Sequence, residues 1–102
     1  MIIVSAPTDS ADTLRKAIGE AGGGKLGDYS FCSFSYPGTA RFLPNHSADP
    51  AVGNSGELEI IEEERIEVVC DASDAKTIAS VIRAAHPYEE PVIAAYSLLD
   101  LD

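Results

Sequence analysis

The chain of 102 residues carries 17 acidic and 7 basic side chains, a formal charge of -10. That sign repels phosphate backbones and anionic headgroups alike, which argues against nucleic acid or a membrane surface as a direct partner. A hydrophobic fraction of 45% without a single Trp describes one globular domain over residues 1–102, its core built from Ile, Val, Leu and Ala.

The chain opens on an apolar run, Ile2 to Ala6, that reads as a short buried strand ended by Pro7. The run is brief and lacks a basic start, so it does not fit a signal peptide, and no stretch approaches the ~20 apolar residues of a membrane helix. Cys32 and Cys70 stand far apart, without the close spacing of zinc or redox pairs. Reduced thiols in a cytoplasmic protein are the expectation. Thr8-Asp9-Ser10 supplies N-caps for a helix whose apolar face is Leu14, Ala17, Ile18 and Ala21. Gly22-Gly23-Gly24 ends it, because three glycines in a row lose too much backbone entropy to continue a helix.

Residues 29–36, rich in aromatics, suit a second strand. Residues 37–56 hold three prolines and three glycines and read as a long loop between the central strands, with a short extended piece at Arg41-Phe42-Leu43. So long a loop in so small a domain points to function. From Glu57 to Asp71, Leu58, Ile60, Ile66, Val68 and Cys70 alternate with charged residues, as in a strand, and Glu62-Glu63-Glu64 interrupts the pattern, either as a bulge or bend or as solvated strand surface. Ser73 is placed to cap a second helix with the stripe Ala75, Ile78, Ala79, Ile82 and Ala85, ending by His86 because Pro87 disfavours helical geometry before it. A last strand runs from Pro91 to Leu99.

The order strand, helix, strand, strand, helix, strand is the split βαβ pattern of an α+β, ferredoxin-like sandwich, βαββαβ, with a four-stranded antiparallel sheet and both helices on one face. The second face should then be polar in an isolated copy. Instead Val92, Ala94, Tyr96 and Leu98 alternate with Ile93, Ala95, Ser97 and Leu99, apolar on both sides. A homo-oligomer that covers this face is the expectation.

His86-Pro87-Tyr88-Glu89-Glu90-Pro91 resembles the His-Pro-Tyr-Glu motif of CutA-like proteins, trimeric ferredoxin-like domains related to the PII signalling proteins. Ala21 to Phe34, reading AGGGKLGDYSFCSF, looks like a stretch typical of the YqfO branch of that group, and Arg41-Phe42-Leu43-Pro44, Gly53-x-x-Gly56 and Glu64-Arg65-Ile66-Glu67 follow in the expected order. The resemblance covers essentially the whole chain. It implies a PII/CutA-like module, trimeric by preference, akin to the insert of larger hexameric proteins with a dinuclear metal centre. The scaffold halves that carry those metal ligands are not in this sequence, so no dinuclear site is carried over.

Two histidines invite chemistry. His86, at the end of the second helix near Glu89 and Glu90, admits three roles: an imidazolium favoured by the helix dipole, a neutral metal ligand, or a purely structural cap of the helix carbonyls. His46 lies in the long loop beside Asn45, Ser47 and Asp49, where it is either solvated or part of a site between subunits. With Arg41, Tyr88, Glu89 and Glu90 these make up the ligand-binding candidates, and His46, His86 and Glu90 are the candidate ligands of a divalent metal ion. A single chain offers too few for a complete zinc or copper shell. No nucleophile has a base beside it, and Cys32 has no basic neighbour. The expectation is a binding or regulatory module, with a metal-dependent hydrolase component or a purely structural unit that docks a protein partner as the alternatives.

Overall fold

The computed structural model describes residues 1–102. Strand β1 covers Ile2–Pro7, helix α1 Ala11–Glu20, strand β2 Phe34–Phe42, strand β3 Glu59–Val68, helix α2 Ala75–Ala85 and strand β4 Ile93–Ala95. The strands lie in the order β2-β3-β1-β4, all neighbours antiparallel. The architecture is the ferredoxin-like sandwich that the element order predicts.

Register explains the core. Ile2 stands opposite Val68 and Val4 opposite Ile66, so the even-numbered residues of β1 and β3 point the same way. They meet Ala11, Leu14 and Ile18 of α1 and Ile78 and Ile82 of α2, and all of these are sealed from water. The alanine positions predicted for the α2 stripe lie at its margins. Each helix enters through a 3₁₀ turn, and neither Ser10 nor Asp74 at the N-cap makes a side-chain bond. Ser73 therefore lies one residue too early to be the cap. Helix α2 stops at His86, which takes extended geometry in front of Pro87.

Four expectations need correction. The second strand begins at Phe34 rather than at residue 29, because the residues before it are clipped into a turn. Leu26 and Tyr29 exchange backbone bonds at 2.9 Å, Cys32 N–H donates to the Gly24 carbonyl, and Phe31 has φ 59. The strand then continues through Pro37 and Gly38 to Phe42. It lies at a sheet edge, where the missing proline N–H faces no neighbouring strand. The loop is accordingly residues 43–58 instead of 37–56, and it joins an edge strand to a central one.

The acidic run produces no bend. β2 and β3 pair without interruption from Phe34–Glu67 to Phe42–Glu59. Leu58 and Ile60 share the parity of Ile66 but stay exposed on the projecting end of this hairpin, in a molecule 49 Å long and 24 Å across. Finally, β4 is three residues rather than nine. Ala95 faces Ile2, and Tyr96 exchanges backbone bonds with Met1.

The open face of the sheet carries Phe34 and Tyr36 of β2 and, in continuation of β4, Val92 and Tyr96. Phe34, Val92 and Tyr96 are 66%, 66% and 52% exposed. No helix is long and apolar enough to cross a membrane.

Candidate functional site

The strongest cluster of polar contacts lies on the open face, where the His-Pro-Tyr-Glu-Glu turn after α2 folds against β1, β2 and β3. Pro87 ends the helix and turns the chain, so the side chain of His86 reaches back to β1. Its Nε2 lies 2.7 Å from the Ser5 carbonyl, and its Nδ1 accepts the Tyr88 N–H at 3.1 Å. An Nδ1 that accepts leaves the proton on Nε2, which donates to Ser5, so both ring nitrogens are used. His86 as a whole is 7% exposed.

Tyr88 continues the chain of contacts. Its ring tilts against His86 at 5.0 Å and against Phe42 at 5.8 Å between centroids. Its hydroxyl donates to Glu63 Oε2 at 2.6 Å. Burial first, and then the bond to the Glu63 carboxylate, push the phenol well above its ordinary value. A folded phenol whose pKa exceeds its unfolded one contributes stability that is complete below about pH 10 and is lost as pH rises through the folded value. In an alkaline near-ultraviolet titration of the four tyrosines, Tyr88 should therefore ionise last. Tyr88→Phe should delete that step alone. An unchanged final step in the variant would contradict the contact.

The 43–58 loop walls this cluster. Its neck is closed by Gly56 N–H donating to the Pro44 carbonyl at 2.7 Å, and Asp49 N–H donates to Glu89 Oε1 at 3.2 Å. Gly53, at φ +85, lies so close to Glu59 that any side chain there would strike it. Between the loop and the turn lies an open cleft of about 320 Å³. Its walls are largely apolar, with Phe42, Leu43, Pro44, Val52 and Val92 among them, and the part-buried Glu63 and Tyr88 line it too.

Arg41, Tyr88, Glu89 and Glu90 are brought together along this cleft. His46 is not: it is an exposed loop residue outside the lining, with no hydrogen bond or ion pair. His86 lies behind Tyr88 with both nitrogens engaged, which corrects two of its predicted roles. It is not free to ligate a metal as folded, and it secures β1 and the turn rather than capping the carbonyls of α2. No three His, Cys, Asp or Glu side chains converge in the chain, so the residues of one copy do not fit a metal centre. Sequence reasoning missed Glu63, Phe42 and Ser5. Glu63 was hidden inside an acidic run, and only strand parity separates it from Glu64, which faces the helices and pairs with Arg15 at 2.9 Å.

No protein-family model matches the chain. It is 41% identical over 97 residues to the GTP cyclohydrolase 1 type 2 homolog of Mycobacterium tuberculosis, a match covering 95% of this chain and 26% of that protein. The Bacillus cereus protein related to NIF3 superposes with a TM-score of 0.82 at 38% identity, over 97% of this chain and 25% of the other. The periplasmic divalent cation tolerance protein CutA from Archaeoglobus fulgidus superposes with a TM-score of 0.66 at 21% identity, over 95% and 80% of the two chains, a likeness of fold. The chain thus spans about a quarter of the length of the curated relatives it matches.

Proposed function

We propose that this chain, a CutA/PII-like domain of the YqfO type, works as a small binding module that assembles with further copies of itself, a trimer being the favoured state, and holds a small ligand in the cleft under the 43–58 loop. The observation that carries this reading is the cleft itself. Its volume of about 320 Å³ falls within the range of small-molecule sites, and such sites combine apolar walls with a few placed polar groups. Here the walls come from β2 and the loop, and the polar groups come from the turn after α2 and from Glu63.

Assembly is supported by the open face. Phe34, Tyr36, Val92 and Tyr96 stand exposed on it, and β2 is an unshielded edge strand. Apolar patches and free edges of this kind are ordinarily covered. Light scattering at micromolar concentration should return three times the 10.8 kDa of one chain, and Tyr96→Asp should lower that mass. A wild-type mass of one chain would overturn the assembled reading.

The relatives are named for a GTP cyclohydrolase. In this chain a triphosphate would meet three carboxylates, Glu63, Glu89 and Glu90, against one cation, Arg41, at the cleft and a formal charge of -10 overall, so we do not favour GTP as its ligand. A divalent ion would need ligands shared between copies, and metal analysis of the purified oligomer tests that. A docked protein partner in place of a small ligand would be captured equally well by a variant lacking the 43–58 loop. The two unpaired cysteines accord with the cytoplasm as its compartment.

A further inference from the structure

Glu63 is the most unusual charged group in the molecule. It is 7% exposed, and a carboxylate taken that far out of water needs donors for its oxygens or a charge of opposite sign. It has one donor, the Tyr88 hydroxyl on Oε2. None of the ion pairs includes it; Arg15 takes Asp12 and Glu64, and Lys16 takes Glu20. Arg41, which lines the cleft under the loop, and Arg65, along β3, do not bridge to it. Its second oxygen, Oε1, thus has no partner. No polar side-chain atom is sealed inside the protein unpartnered, so Oε1 keeps access to solvent, and Glu63 lines two clefts that supply it. The cleft under the loop and a second one along β2 share Ser5, Ala40, Arg41 and Val92 and meet at Glu63.

The geometry points to a small organic cation, an alkylammonium or alkylguanidinium, as the ligand of this cleft. Its N–H groups donate to Glu63 Oε1, with Glu89 and Glu90 adding negative charge against the single cation Arg41, and its carbon body lies against Phe42, Leu43 and Val92. A bare metal ion would use neither the apolar walls nor a full ligand set, because no three ligating side chains converge. The inference rests on the reading of the cleft as a ligand site and adds the chemical class.

The test is a nuclear magnetic resonance titration of the full chain with n-butylammonium, n-butylguanidinium, 1-butanol and butyrate. The cations should shift the amides of Glu63, Tyr88 and Val92 and saturate at concentrations about tenfold lower than the neutral alcohol, the scale of a charge-assisted hydrogen bond. Glu63→Gln should erase that preference. Tyr88→Phe, which keeps the carboxylate, should retain it and guards against a general loss of structure. Equal binding of 1-butanol, or a preference that survives in Glu63→Gln, would overturn the cation and leave a cleft for another class of ligand. Should none of the four compounds move these amides, the ligand-site reading itself falls. A drop in oligomer mass on Glu63→Gln would mean that a Lys or Arg of a second copy meets the carboxylate, which overturns the small cation.

Discussion

Gly24→Ala should lower stability by on the order of 3 kcal/mol or more, a large part of the ~5–15 kcal/mol that holds a domain of this size together. Two effects add. Gly24 has φ +78, where an L side chain costs about 1–2 kcal/mol. A Cβ there would also stand 2.2 Å from the Cys32 carbonyl oxygen and 2.7 Å from its nitrogen. Those are backbone atoms, and they cannot yield cheaply. Gly24 N–H donates to the Val69 carbonyl at 2.8 Å, and Cys32 N–H donates to the Gly24 carbonyl at 2.9 Å, so moving the turn disrupts two bonds worth about 1 kcal/mol each. Gly27→Ala is the control: φ is +56 and the space around it is open, leaving only the conformational cost of about 1–2 kcal/mol. Urea unfolding separates the two. Equal midpoints for both variants would show that the clip between Gly24 and Cys32 carries no weight.

That clip also marks where sequence reasoning about the fold succeeded and where it failed. β1, α1 and α2 were legible because one periodicity and one stop signal agreed in each, as with Ile78, Ile82 and the His86-Pro87 boundary in α2. Residues 29–33 have a strand's composition, yet the Cys32 bond to Gly24, the two bonds between Tyr29 and Leu26 and the positive φ of Phe31 take them out of the sheet. Such a clip has no periodicity to announce it, so β2 moved forward by five residues and absorbed Pro37 and Gly38, the proline being one that an edge strand accepts. The length of β4 is likewise a matter of pairing: the apolar run continues, but only Ile93–Ala95 pair with β1 as strand.

The candidate site divides along the same line. Arg41, Tyr88, Glu89 and Glu90 were picked out by their place in a loop or a motif, and the fold brings them to one cleft. Glu63 was not, because its neighbours Glu62 and Glu64 are solvated or paired with Arg15, and nothing local distinguishes the middle residue. Its role appears only when Tyr88, 25 residues away, donates to it. His86 is the reverse case, a residue whose sequence context left three roles open. A histidine beside two glutamates suggests a metal ligand, whereas the partners that matter are a carbonyl 81 residues earlier in the chain and the amide two residues later.

His86→Ala should therefore cost about 3 kcal/mol of unfolding free energy, and it should do so in the presence of a strong chelator. The substitution removes two hydrogen bonds and leaves the Ser5 carbonyl and the Tyr88 N–H without partners in a part-buried site, at about 1–3 kcal/mol for each orphaned group. It also removes the face against which Tyr88 stacks at 5.0 Å, so the loss extends to the lining of the cleft. A metal-ligand role makes the opposite forecast: the wild type would lose stability when chelator is added, and His86→Ala would differ little from it once the metal is gone. Chemical denaturation of both proteins with and without chelator decides the matter. Matching midpoints for wild type and variant in chelator would remove the structural role, and with it the account of why a motif of His, Pro and Tyr stands at the end of α2. The expected result, a chelator-independent loss, makes the histidine the clamp that joins β1 to the turn and holds Tyr88 over Glu63.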